Sequence, residues 1–179
     1  MSQNWRPGDK RPDVERMIRV DQAGEYGATR IYAGQLAVLG EDSRAAHAVA
    51  HMAAQEEVHL ARFNELMAQR RVRPTILQPF WNVAGFGLGA VTALMGEKAA
   101  MACTDAVETE IDKHYEEQLA QLGDSDPELS DDIRRFQAEE LEHRDTARAH
   151  GAEEAPAYPV MTAAIRAGCR LAIELSKRF

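Results

Sequence analysis

EYGATRIYAGQLAVLG (residues 25–40) and ETEIDKHYEEQLAQLG (residues 108–123) both open with Glu, carry Tyr seven residues on and close with Gly fifteen residues on. A Glu-x-x-His follows each of them, Glu56 to His59 in the first half and Glu140 to His143 in the second. The second Glu lies 31 residues after the first in one half and 32 in the other. Matched offsets of this kind predict a helix hairpin used twice. A helix climbs about 1.5 Å per residue, so Glu25 to Gly40 is a rise of about 22 Å. Gly40 is expected to end that helix as a left-handed cap. The next helix then descends and returns Glu56 to the level of Glu25. Gly123 is expected to do the same for Glu108 and Glu140. Four carboxylates therefore meet at one height of an antiparallel bundle, and each Glu-x-x-His adds an imidazole one turn away on the same face.

Four buried negative charges without partners would cost many kcal/mol or be forced to protonate. Two divalent cations cancel them. A Glu from each of two helices with a Glu-x-x-His from each of two others is the known ligand pattern of ferritin-like di-iron and di-manganese proteins, and the residues are matched to it here. The candidate ligands are Glu25, Glu56, His59, Glu108, Glu140 and His143. Carboxylate-rich ligation with one imidazole per metal suits iron or manganese better than zinc. The competing reading is two solvated helix faces in a metal-free bundle. Glu57 and Glu139 are one residue out of frame and point about 100° away. Glu110 and Glu142 are two residues out. All four are read as solvated or as outer supports of the ligands. Asp21 and Asp105, about one turn before Glu25 and Glu108, are candidates to hold a ligand histidine through its free nitrogen; the alternative is an ordinary surface acid. Tyr32 and Tyr115 are either core residues with satisfied hydroxyls or, for Tyr115 beside His114, a relay for an electron and a proton.

A chain of 179 residues is the size of one domain, read as 1–179 with 1–12 a flexible N-terminal segment. Its aliphatic, alanine-rich composition favours an all-α fold: a four-helix bundle with two additional apolar or amphipathic helices. The expected helices run from about Asp13 to Leu39, from Asp42 or Ser43 to Arg70, from Phe80 to Met95, from Gly96 to Leu122, from Asp126-Pro127 to His150 and from Val160 to Lys177. A formal net charge of −8 argues against nucleic acid as a partner. Cys103 and Cys169 lack metal-ligand spacing and read as small core residues in a reducing compartment. Residues 1–12 have no apolar core of a secretory signal.

Pro74 to Gly96 carries no charge. Its strictly apolar part, Val83 to Met95, is shorter than the roughly 20 residues that a spanning helix needs. Gly85, Gly87 and Gly89 argue against a rigid buried helix, whereas Phe80, Trp81, Phe86 and Leu88 suit a membrane interface. Arg70, Arg71 and Arg73 before it, and Arg166, Arg170 and Lys177 on the last helix, are placed to meet anionic headgroups. A core helix with a solvated basic face is the alternative.

The runs IRVDQAGEYGATRIYAGQLAVL (18–39), QEEVHLARFNELM (55–67), RVRPTILQPFWNVAGFGLGAVTALMGEKAAMACTDAVE (71–108), EELEHRD (139–145) and APAYPV (155–160) resemble the demethoxyubiquinone hydroxylases of ubiquinone biosynthesis. The resemblance covers the chain from about residue 15. It implies a ferritin-like fold, two iron ions and a peripheral membrane attachment. The implied activity is a monooxygenase that uses dioxygen to hydroxylate the ring of a polyprenyl demethoxyquinol. The family's ligands fall on the six residues already named, with Glu56 and Glu140 bridging. His114 and Tyr115 match positions linked to electron delivery, and Tyr158, with Tyr32, is assigned to the quinol. One oxygen atom enters the ring and the other leaves as water. The electrons come from NADH, a redox partner or the quinol itself, and no Gly-x-Gly-x-x-Gly in a strand-to-helix context announces a nicotinamide site. Partners on this reading are the membrane surface, with association either to other quinone-biosynthesis proteins or to itself. The chain lacks the transit extension of mitochondrial members. The expected location is therefore the cytoplasmic face of a bacterial cell membrane, or the matrix face of the mitochondrial inner membrane for a trimmed eukaryotic form. The alternatives are an iron-storage or ferroxidase protein, which would assemble a soluble shell, and a soluble di-iron hydroxylase of another substrate.

Overall fold

A computed structural model describes residues 12–179. Among them are α1 (Val14–Leu36), α2 (Arg44–Arg70), α3 (Gln78–Leu94), α4 (Glu97–Leu122), α5 (Pro127–Ala149), a 3-10 turn (Ala152–Glu154) and α6 (Tyr158–Ser176), with no strand. The all-helical class expected from composition is the one adopted. The stretch 1–12 read as flexible lies, but for its last residue, outside the described residues.

Helix starts follow side-chain chemistry. Asp13 accepts from the Arg16 N–H at 3.1 Å, Ser43 from Ala46 at 2.9 Å and Asp126 from Leu129 at 3.1 Å. Each satisfies a donor that the first helical turn leaves orphaned. At the helix ends the two halves differ. Gly123 closes α4 with a positive φ of 51°. Gly40 does not close α1. That helix stops at Leu36, and the Val38 and Leu39 N–H groups both turn back to the Gln35 carbonyl. The chain tightens there because Leu36, Val38 and Leu39 pack into the alanine-rich cluster described below, so the turn is complete before Gly40 is reached.

α1 pairs with α2 and α4 with α5, as two helix hairpins. α3 lies on α1 and also meets α4, while α6 lies on α4 and also meets α1. The result is three layers, with α1 and α4 between α2/α5 on one side and α3/α6 on the other. α3 and α6 run antiparallel. At one end the Ile76 N–H donates to the Phe179 carbonyl at 3.0 Å. At the other, Ala93 shares a cluster with Tyr158 and Met161. The repeat seen in the sequence as a helix pair is thus three helices per half.

Two apolar clusters plug the bundle at opposite ends. One is alanine-rich, with Val49, Met52, Ala99 to Ala102 and Ala147. The other is bulkier, with Ile18, Phe63, Leu66, Leu122, Ile133 and Phe136. A third cluster, Ile31, Cys103, Ala106, Val107 and Ile165, joins the middle layer to α3 and α6. Cys103 and Cys169 are both free, and burial pushes both thiols up to about 12, so they remain protonated packing residues.

The glycines of α3 have a different role from the one expected. A Cβ on Gly89 would lie 1.9 Å from the Ile31 carbonyl oxygen, and one on Gly34 of α1 would lie 2.1 Å from the Phe86 carbonyl oxygen. They let two helix backbones touch, and so fasten α3 to the bundle instead of loosening it. Leu88 is corrected likewise: it turns inward against the third cluster. Trp81 is half-buried, and Phe86, under the Arg30 guanidinium at 5.3 Å, is at the margin of exposure. Of the residues expected outside, Phe80 (60% exposed) is on the outer face, joined by Val83 (73%) and Leu94 (74%) on α3 and by Val160 (73%) and Leu171 (60%) on α6. The basic residues of α6 are also committed elsewhere. Arg166 and Arg170 hold the buried Glu110 at 2.6 and 3.1 Å, and Lys177 holds Glu174 at 2.6 Å. Glu110 is therefore the buried tie between α4 and α6 and not a solvated acid.

Gly89→Ala should lower thermal stability by the equivalent of about 1–3 kcal/mol, the usual cost of overpacking. Gly87→Ala, whose Cβ would meet nothing within 4 Å, should be neutral or stabilising by up to about 1 kcal/mol. Paired thermal melts test the two; equal effects would rule out the α1–α3 backbone contact.

Candidate metal centre

Six side chains converge between the two plugs, each at most 2% exposed: Glu25 from α1, Glu56 and His59 from α2, Glu108 from α4, and Glu140 and His143 from α5. They form two overlapping groups, Glu25–Glu56–His59–Glu140 and Glu56–Glu108–Glu140–His143, with ligand atoms in each within 4.8 Å of one another. Glu56 and Glu140 belong to both, which is the geometry of a bridge between two ions. Both imidazoles aim Nδ1 inward. His59 Nδ1 is 3.4 Å from Glu25 and 3.2 Å from Glu140. His143 Nδ1 is 3.2 Å from both Glu56 and Glu140.

Glu25 Oε2, both oxygens of Glu56, His59 Nδ1, Glu108 Oε2 and Glu140 Oε1 are buried with no hydrogen-bond partner. Buried polar atoms are normally paired. An orphaned set of carboxylate oxygens and one imidazole nitrogen, all facing one space, is what divalent cations satisfy. The donor set fits iron or manganese on the same ground.

The charge balance agrees. Burial first, and the charge of Glu140 next, hold the Glu56 and Glu108 carboxyls well above the usual range. Burial alone would lower His59, but its contacts with Glu140 and Glu25 outweigh that and hold it at about 11. Burial opposes ionisation of Glu140 too, yet both histidines bring it down to about 2. The metal-free chain thus keeps protons where cations would sit.

The two tyrosines cross the bundle. The Tyr32 hydroxyl, on α1, donates to Glu108 Oε1 of α4 at 2.6 Å. The Tyr115 hydroxyl, on α4, donates to Glu25 of α1. Burial, then the charge of the carboxylate each one meets, raises both phenols well above their ordinary value, so they stay protonated donors. Tyr32 is fully enclosed in this role, with its hydroxyl turned to a candidate ligand and not to a substrate cavity. Asp21 and Asp105 do not hold ligand histidines. Asp21 accepts from Gln118 at 2.7 Å and lies 3.4 Å from His114 Nε2. Asp105 accepts from Arg148 at 2.8 Å and from the Tyr158 hydroxyl. His114 and Gln118 also line a surface cleft of about 140 Å³ with Arg16, Val20 and Lys177.

The outer nitrogens of the ligand histidines go elsewhere. His59 Nε2 is 2.7 Å from Glu139 Oε2, and His143 Nε2 is 3.1 Å from Gln55 Oε1. The sequence reading left Glu139 as either a solvated acid or an outer support of the ligands, and the contact with His59 is the second of these; Gln55 was passed over. The signal was present, because each precedes a histidine of its own helix by one turn. In an antiparallel α2/α5 pair that position faces the other helix's histidine.

The chain matches the family model described as Ubiquinone biosynthesis protein COQ7 over residues 12–176. The chain belongs to this family. It is 59% identical to the 3-demethoxyubiquinol 3-hydroxylase of Rhodospirillum rubrum over 96% of this chain and 82% of that protein. It is 55% identical to the human mitochondrial NADPH-dependent 3-demethoxyubiquinone 3-hydroxylase, over 94% of this chain and 79% of the other. The Saccharomyces cerevisiae mitochondrial 5-demethoxyubiquinone hydroxylase is 44% identical, over 92% and 78%.

The stability of the metal-free protein should fall as pH rises from 6 to 9. Glu56 and Glu108 keep protons that the unfolded chain sheds above about 4.5, and the His59 contribution, complete below about 6.5, is lost towards 11. Each proton held only by the folded state gives a slope of about 1.4 kcal/mol per pH unit. Mn(II), taking the place of those protons, should flatten the slope and stabilise more at pH 8 than at pH 6. Thermal melts across pH with and without Mn(II) check this; parallel curves would count against cation binding at these residues.

Proposed function

We propose that this chain is a di-iron hydroxylase that uses dioxygen to hydroxylate the ring of a polyprenyl demethoxyquinol, working at a membrane surface. The observation that carries the reading is the pair of overlapping Glu/His groups with orphaned inward atoms, in a chain of this family. Names of relatives supply the substrate class. A ring C–H becomes C–OH, the second oxygen atom leaves as water, and two electrons and two protons are consumed. A reduced nicotinamide as electron source rests on the name of the human relative.

Iron bound at the six ligands would supply dioxygen binding and the redox change, which side chains lack. The chain's own residues do the rest. Glu56 and Glu140, common to both groups, would each serve both ions. Tyr32 and Tyr115 fix the terminal carboxylates Glu108 and Glu25 from opposite halves. The apolar plugs above and below keep bulk water from the layer. His114, Gln118 and Asp21 form a polar chain from the surface cleft towards Tyr115, suited to bring in electrons and protons. Tyr158, held by Asp105 at the start of α6, packs against the alanine-rich cluster; it is assigned to the quinol head.

The membrane part of the proposal is supported by the outward apolar residues of α3 and α6. No helix among the described residues is long and apolar enough to cross a membrane. A polyprenyl tail keeps its quinol in lipid, so the active chain must present an apolar face to lipid. Eukaryotic relatives carry mitochondrial names, and an inner-membrane surface is the corresponding site for such a form.

Anaerobic loading should give two irons per chain, and a turnover under ¹⁸O₂ should leave one ¹⁸O atom in the quinol ring by mass spectrometry. Glu56→Ala should abolish both results, and the exposed Glu57→Ala should change neither. Unlabelled product, or iron accumulating far beyond two per chain, would reject the hydroxylase in favour of storage.

Phe80→Asp with Leu94→Asp should weaken binding to liposomes and turnover of long-tailed quinol at least about tenfold, in line with the cost of placing charge in lipid. Iron content and activity on a short-tailed, water-soluble quinol should persist. Cosedimentation unchanged from the parent would remove α3 from the membrane face.

A further inference from the structure

The two halves of the metal layer match residue for residue until the outer nitrogens of the histidines are reached. Each half gives a terminal Glu, a bridging Glu and a His presenting Nδ1. Each terminal Glu is held by the Tyr of the other half. The residue before each bridging Glu reaches across to the histidine of the other half, but one is a carboxylate and one an amide. With Nδ1 facing the metal space, Nε2 carries the ring proton. His59 donates it to Glu139 at 2.7 Å, and His143 donates it to Gln55 at 3.1 Å.

We infer that Glu139 and Gln55 are positioning residues that make the two metal sites unequal, the His59 site being the tighter. This rests on reading the six residues as a two-metal centre. A hydrogen bond to a carboxylate is about twice as strong as one to a neutral acceptor. It draws the Nε2 proton outward, leaves Nδ1 more basic and places a compensating negative charge one ring away from the cation. An amide carbonyl orients the ring equally well but adds no charge. Outer partners of this kind typically change metal affinity by 10–100-fold. The six candidate ligands and the two tyrosines that hold them are paired between the halves, so among the groups in direct contact through hydrogen bonds with the outer nitrogens the difference is one substitution within an internal repeat. The first ion to bind settles at Glu25–Glu56–His59–Glu140, and the second completes the layer at Glu108 and His143. The pair that meets dioxygen then consists of two chemically distinct ions.

Mn(II) alone is the probe, because its binding is read by the loss of the free-ion electron paramagnetic resonance signal and needs no turnover. The parent should bind two Mn(II) in two steps, the second at least about 10-fold weaker. Repulsion between two ions would also separate the steps, so isosteric variants decide the matter. Glu139→Gln keeps the hydrogen bond and removes the charge; it should weaken the first step about 10-fold or more and narrow the gap. Gln55→Glu adds the missing charge and should strengthen the second step. A merely structural role for either residue would leave both isotherms unchanged in these shape-preserving variants. Unchanged isotherms in both, or a loss in Glu139→Gln confined to the weaker step, would overturn the inequality while leaving the two-metal reading intact. A parent that binds no Mn(II) would overturn both.

Discussion

Four carboxylates of like charge, buried at one level between two apolar plugs, constrain everything else in this molecule. Helix lengths, turns and cross-bundle contacts can be understood as what is needed to bring Glu25, Glu56, Glu108 and Glu140 to that level and keep them there. The protein compensates part of the repulsion itself. Two histidines bridge neighbouring carboxylates, two tyrosines donate to the outer pair, and the carboxyls of Glu56 and Glu108 hold protons when no cation is present. What remains is a set of orphaned inward atoms. A buried polar network left half-satisfied is less stable than an apolar core, so the layer is intelligible as a site prepared for cations.

The plugs on either side differ in character for a reason tied to this layer. At the alanine-rich end, small side chains let the helices approach closely and the α1/α2 turn tighten around Leu39. At the other end, Phe63, Phe136 and Leu66 fill the bundle, and Phe136 lies 4.1 Å from the His59 ring. The histidine that pairs with Glu139 is thus also walled by an aromatic ring. The outer layer obeys a separate constraint. α3 is held by backbone contact through Gly34, Gly85 and Gly89, not by large interlocking side chains. This frees its bulky residues Phe80, Val83 and Leu94 to face outward.

The repeat explains why contacts cross so regularly. Two equivalent three-helix units packed face to face place equivalent residues opposite one another. A side chain reaching the midline therefore meets the ligand of the other unit: Tyr32 with Glu108, Tyr115 with Glu25, Glu139 with His59 and Gln55 with His143. Where the two units carry the same residue the contacts are matched. Where they differ, as at Gln55 and Glu139, the chemistry of the two sites diverges.

The convergence of the six candidate ligands, the all-helical class and the level of the carboxylates were legible in the sequence because helix rise and period are fixed by the backbone, and a repeated spacing fixes a height on a helix. The caps at Asp13, Ser43 and Asp126 were legible as well, since capping is local chemistry. Contacts between helices were not. Frame within a single helix says which way a side chain points, but not what stands opposite. Glu139 could therefore be placed only as a solvated acid or an outer support, without its partner, Asp21 and Asp105 were matched to the wrong partners, and the cover of two α6 arginines over Glu110 went unseen. The same limit misled the reading of Gly85 and Gly89, which on one helix look like weak points and against α1 become the contact itself. Periodicity along one chain determined which residues share a level, whereas the packing of separate helices decided which of them touch.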